Sequence, residues 1–224
     1  MLKTTLKLSF LIAFIGFLTI RCEEVILSEE ESIVDVEPEP NDFDQTHFYY
    51  SKGQTIPLKI IDTLNIIVFH LDSFLTIRNK LSEKGLEPRW VFDFEDGWLF
   101  CQVCSGYTML CISNPNAISL SDIYQIDEID YCAPYFTNEN GIELGVTNIL
   151  YVELSKKSDL TLLLDICKQY DVEFGEQSES NPLTYWVFCN RLSKGNALEI
   201  ANLFYEKRIF AASYPAFVGG LPSR

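Results

Sequence analysis

Histidine and methionine are scarce, two of each in 224 residues, and Lys plus Arg number only 17 against 32 Asp plus Glu. The resulting net charge of -15 excludes the basic footprint that draws a protein to nucleic acid or to an anionic membrane face. No glycine-rich phosphate loop is present. The two histidines leave little room for base catalysis. His47 borders an acidic stretch, and His70 sits in an apolar strand, where it reads as a satisfied structural residue. The apolar run Leu8 to Ile20 is too short to span a bilayer comfortably.

That run, preceded by Lys3 and Lys7, reads as an export signal over residues 1–22. Cys22 follows it directly and is the expected lipid anchor of a lipoprotein. Arg21 replaces the small residue usual before such a cysteine, so ordinary signal cleavage is the alternative. Residues 23–46 carry ten Asp or Glu, no Lys or Arg, and Pro38 and Pro40, the composition of a disordered tether. The expected destination is the outer membrane or cell surface, with a periplasmic or secreted protein as the alternative. Membrane contact is expected only through the anchor. Seven cysteines suit an exported chain, and acylation of Cys22 would leave an even six of unreadable pairing.

Residues 47–224 suffice for one large or two small cores. The chain repeats itself there. Trp98 to Cys101 reads WLFC and Trp186 to Cys189 reads WVFC, 88 residues apart. Ala133 to Phe136 (APYF) parallels Tyr214 to Phe217 (YPAF), with prolines 81 apart. Such self-similarity points to two copies of one unit. In the second copy, strands are expected at Val146 to Leu154, Val172 to Gln177, Leu183 to Cys189 and Ile209 to Phe217. Helices are expected between them. One is capped by Ser158, with a stripe of Leu160, Leu163, Leu164, Cys167 and Tyr170; the other is capped by Ser193, with Ala197, Ile200, Ala201 and Phe204 inward. The first copy follows with a strand Leu64 to His70, a helix through Phe74, Ile77 and Leu81 ended by Gly85, and a hairpin Trp90 to Phe94 with Trp98 to Val103. An insertion near SGYTMLC comes next, then a short helix capped by Ser119 or Ser121 and a closing strand Tyr131 to Phe136. The expected fold class is α+β: tandem ferredoxin-like βαββαβ units, 47–145 and 146–224, with antiparallel sheets and helices on one face.

A half-exposed strand should alternate polar and apolar residues. Residues 98–101 and 185–189 do not: Trp98 and Phe100 oppose Leu99 and Cys101, and Trp186 and Phe188 oppose Tyr185 and Val187. Something should therefore cover the helix-free face, either the other repeat packed sheet to sheet or a separate protein.

The stretches GNALEIANLFYEKRIFAASYPAF (195–217), YVELSKKSDLTLLLDICKQYDVEF (151–174) and FYYSKGQTIPL (48–58) resemble the N-terminal propeptide region of Bacteroidetes-type subtilisin-like serine proteases. The resemblance implies a ferredoxin-like domain whose open sheet face packs on the protease and whose C-terminal tail lies in the substrate cleft. Its role would be to assist folding of the enzyme and inhibit it until removed. Carried onto this chain, the contact residues are Trp98, Phe100, Trp186, Phe188, Tyr214 and Phe217 on the face, and Val218, Gly219 and Gly220 in the tail. The tail would add to strand edges of the enzyme through backbone hydrogen bonds, the glycines allowing close approach; a frayed terminus is the alternative. The family's Asp, His and Ser motifs do not occur in these residues, so no catalysis is expected. The expected function is that of a non-catalytic, exported protease inhibitor or folding chaperone with a subtilisin-like serine protease as partner. The alternative is a cell-surface binding or adhesion module without such a partner.

No cofactor and no metal are expected. Cys101 and Cys104 (CQVC) fall three apart on a strand, facing opposite sides, which suits neither a shared ion nor a redox pair. A Cys104–Cys111 disulfide could close the insertion. Asp122, Asp127, Glu128 and Asp130 read as a solvated helix face rather than a calcium loop.

Overall fold

The computed structural model describes residues 47–92 and 106–222, which fall within one compact unit, Asp42–Arg224. The first half contains strands β1 (His47–Ser51) and β2 (Gln54–His70), helix α1 (Phe74–Glu83), strands β3 (Glu87–Phe92) and β4 (Tyr107–Ser113), helix α2 (Leu120–Ile123) and strand β5 (Ile129–Thr137). The second contains β6 (Ile142–Glu153), α3 (Leu160–Gln169), β7 (Glu173–Gln177), β8 (Thr184–Phe188), α4 (Ala197–Glu206) and β9 (Ala212–Pro222). The chain is α+β, built on an antiparallel sheet with helices. The strands join in one sheet ordered β3-β4-β2-β5-β6-β8-β7, with β1 on β2 and β9 on β6. Within the first half the order is β5-β2-β4-β3 and within the second β9-β6-β8-β7, so both halves wind alike. The 145/146 divide falls inside β6, whose start pairs with β5 and whose end pairs with β8.

The proline repeat has a structural basis. Pro134 on β5 faces Asn65 of β2, and Pro215 on β9 faces Leu150 of β6. Beside each proline the register slips, between Ile61 and Asn65 and between Val146 and Leu150. A residue without an N–H is tolerated where a ladder is already interrupted. The WLFC copy, residues 98–101, lies outside the described residues, as do residues 93–97 and 102–103 of the expected hairpin. The SGYTMLC segment is not an insertion. From Tyr107 on it belongs to β4, the strand hydrogen-bonded between β2 and β3. The run Met109 to Ile112 is apolar because each of its two sides faces a core.

Those two cores explain the first half's unbroken apolar strands. Ile67, Phe69, Leu110, Ile112 and Cys132 pack under α1 and α2 with Ile77, Leu81 and Ile123. Their neighbours Ile66, Val68, Met109, Cys111, Tyr131 and Ala133 face the other way and join the core of the second half, with Leu150, Val152, Val187, Leu163, Ala201 and Phe204. The two helix pairs thus lie on opposite sides of the continuous sheet. Of the two covers expected, a second sheet or a separate protein, neither closes the first half's second face: the core shared with α3 and α4 of the second half does. The first residue of α4, Ala197, donates its N–H to the buried Tyr131 hydroxyl at 3.2 Å. The far side of α4 meets β1, where Tyr205 stacks on Tyr50 at 4.1 Å and Asn202 Nδ2 donates to the Phe48 carbonyl at 2.6 Å.

Local signals set the helix limits. Asn196, rather than Ser193, caps α4: Asn196 Oδ1 accepts from Leu198 and Glu199, and the Glu199 carboxylate accepts the Asn196 N–H in return. Ser193 instead accepts the Asn190 N–H and donates to the Asp171 carbonyl. Helix α3 follows a 3-10 turn, Lys157–Asp159, so Ser158 lies within that turn and is not the cap. Gly85 ends α1 at φ +69, the left-handed position glycine tolerates. The acidic residues expected along one helix are spread over three contexts. Asp122 accepts from Ser119 in α2, Glu128 pairs with Lys80 at 2.6 Å, and Asp130 sits on β5.

Candidate functional site

In the second half, Val187, Leu150 and Val152 point into the core and are 0% exposed. Alternation along the strands then turns Trp186, Tyr151 and Tyr214 to the side away from α3 and α4. These three are direct cross-strand partners, Tyr151 with Trp186 and Tyr151 with Tyr214. Their rings form a row across β9, β6 and β8. Tyr151 meets Trp186 edge-on at 5.4 Å and 75°, and stacks on Tyr214 at 5.3 Å and 30°. Such aromatic pairs hold one another in place across a sheet. Tyr214 is 40% exposed, while Tyr151 and Trp186 are half-buried. Burial, and then the nearby Glu153 carboxylate, raise the Tyr214 pKa, which keeps the phenol neutral.

Phe188 lies two residues beyond Trp186 on the same side. Its ring passes over Gly175 of β7, where an added Cβ would collide with it and approach the Trp186 carbonyl to 3.0 Å. Gly175 is therefore a seat for Phe188, the close approach that a strand glycine permits. The row thus continues from Tyr214 to Phe188 over four strands of one face.

The structure brings Trp186, Phe188 and Tyr214 together as the sequence suggested. Trp98, Phe100 and the Cys22 anchor lie outside the described residues. Phe217 turns to the reverse side, edge-on to Tyr49 at 5.0 Å and packed against the core, as is Val218. The tail expected to be loose is the end of β9, paired with β6 from Gly145–Val218 to Ile142–Pro222. Backbone pairing and the hydrogen bond from Thr147 Oγ1 to the Ala216 carbonyl at 2.9 Å hold it there. Gly219, at φ +130, approaches the Glu143 backbone of its own sheet; Gly220 continues the strand. Tyr151, the centre of the row, escaped the sequence reading. Its signal was present in the alternation of Val152 and Leu150 around it.

Among the described residues no three His, Cys, Asp or Glu side chains gather as a metal site, and no helix is long and apolar enough to cross a membrane. Cys132, Cys167 and Cys189 are buried thiols, and burial pushes the latter two up to about 12. Cys111 is buried against the Tyr135 hydroxyl; Cys101 and Cys104 lie outside the described residues. His70 is not interior. It ends β2, accepts the Asp72 N–H through Nδ1 at 3.4 Å and lies edge-on to Tyr107.

No family model matches the chain, and no curated protein matches it. Among solved structures, the acetolactate synthase small subunit from Thermotoga maritima overlaps 72% of this chain and 98% of its own, at 9% identity and a TM-score of 0.25. That overlap carries no argument about fold or function.

Proposed function

We propose that this chain is a non-catalytic, exported binding protein whose second half docks a partner protein through the Tyr214–Tyr151–Trp186 row. The two halves are copies of a ferredoxin-like unit, a reading supported by the matching strand orders and by the paired prolines at register slips. The partner class is a subtilisin-like serine protease, on the resemblance of residues 195–217 and 151–174 to a protease propeptide. The observation that carries the reading is the row itself. Large rings with polar tips, mutually braced on a helix-free sheet face, are the composition of protein interfaces rather than of solvated surface.

Pairing of Val218 to Pro222 with β6 favours the sheet face over the tail as the contact. Face docking suits a folding helper or a binder acting outside the substrate cleft. Cys22 would anchor the protein at the cell surface, with residues 23–46 as the tether. The test is a binding and inhibition titration of the purified chain against a subtilisin-like protease from the same organism. Binding that survives loss of residues 223–224 and disappears with Trp186→Ala supports the proposal. Absence of any binding removes the protease and leaves the adhesion module.

A further inference from the structure

A cleft of about 680 Å³ opens beyond Phe188, where the two halves meet. That volume falls in the range of small-ligand sites, which favour such junctions. Three aromatic residues line it, Tyr107 from the first half and Phe174 and Phe188 from the second. Three carboxylates join them: Asp130 at the start of β5, and Glu173 and Glu176 on β7. The cationic residue in the lining is Arg191, and its guanidinium is already engaged. It donates to the Asp127 carbonyl at 2.6 Å and to the Tyr124 carbonyl at 2.7 Å, and it reaches the Asp127 carboxylate at 4.0 Å. Among the described residues Glu173 and Glu176 have no ion-pair partner. The cleft therefore combines apolar walls with three carboxylates, of which Asp130 feels the positive charge of Arg191 while Glu173 and Glu176 are left without a cation.

We infer that this cleft binds a basic side chain of a peptide or protein, its alkyl stem against the aromatic walls and its cationic head on Asp130 and Glu173. A cation needs both parts of that lining. Carboxylates provide the charge complement, and ring faces attract a positive head while covering the stem. An anionic or purely apolar ligand would meet the same carboxylates at a desolvation cost without gain. The Asp130 carboxyl is partly withdrawn from water, and this burial raises its pKa despite the nearby Arg191 charge, so a cation seated directly on it recovers interaction that solvent no longer supplies. This site shares Phe188 with the aromatic row but rests on the cleft and its carboxylates, so its test does not depend on the protease reading.

The experiment titrates the full chain with N-acetyl-arginine amide and with its uncharged citrulline counterpart, followed by calorimetry. Saturable binding of the arginine compound, at least tenfold tighter than the citrulline one, is expected. Asp130→Asn and Glu173→Gln should each weaken it about fivefold, the effect of losing one partly exposed ion pair of about 1 kcal/mol. Glu173→Gln, at an exposed position, carries the test alone if Asp130→Asn fails to fold, with circular dichroism as the check. Equal binding of the two compounds, binding untouched by these variants, or no binding at all overturns the inference.

Discussion

Replacing Tyr131 by Phe tests whether the two halves are one folding unit. Tyr131 is 1% exposed on β5, and its ring belongs to the core shared with α3 and α4. Its hydroxyl accepts the N–H of Ala197 at 3.2 Å. Ala197 is the first residue of α4, so its N–H has no partner within the helix, and it is fully buried away from solvent. Tyr131→Phe keeps the ring and removes only that acceptor. Leaving a buried donor unsatisfied costs about 1–3 kcal/mol. For a domain of this size each kcal/mol lowers Tm by about 2–4 °C, so a cost near 2 kcal/mol predicts a fall of about 4–8 °C. The assay is thermal unfolding followed by circular dichroism at 222 nm and by tryptophan fluorescence. Both probes should report a single coincident transition before and after the substitution. A shift below about 1 °C, or wild-type halves that melt separately, would refute the shared core.

Other expectations follow from single contacts. Asn196→Ala removes the cap of α4 and should cost about 1 kcal/mol in urea denaturation, with an unchanged m-value. Gly175→Ala should displace Phe188 and lower stability by about 1–3 kcal/mol, the range for overpacking, whereas Gly53→Ala, with open space at its Cβ, should cost only the strain of its φ of +80. Burial raises the Cys167 and Cys189 thiols from 9.0 to about 12. The unfolded chain then releases these protons first as pH rises, so stability present below pH 9 should decline between pH 9 and 12, by up to about 1.4 kcal/mol per pH unit for each thiol. Cys189→Ala should flatten that decline, measured as urea midpoints across the range.

The sequence showed the elements of the second half because its helices and strands have clean periods. Leu163, Cys167, Ala197, Ile200, Ala201 and Phe204 are all buried as their spacing implied. It misplaced the first half's third strand because Met109 to Ile112 is apolar on both sides and has no alternation to read. That same two-sidedness is the trace of the core that β2, β4 and β5 share with the second half, a long-range contact with no local signature. The Asn196 cap is legible as N-x-x-E, but Ser193 three residues earlier offers a competing cap signal. Of the site, Trp186 and Phe188 stood out through aromatic density. Tyr151 did not, because its importance comes from two cross-strand partners far off in sequence. The fixed end of β9 was hidden for a similar reason: Val218 to Pro222 looks loose until its pairing with residues 142–145 is known.

The decisive measurement is the affinity of the purified chain for a subtilisin-like protease from the same organism, taken for wild type, Tyr151→Ala and Trp186→Ala together with each protein's Tm. The account predicts measurable binding that falls at least about thirtyfold in each variant, the size of a loss of 2 kcal/mol or more at an interface centre. It also predicts that both variants stay folded with one cooperative transition. Binding retained in both variants, or lost only because they unfold, would contradict it.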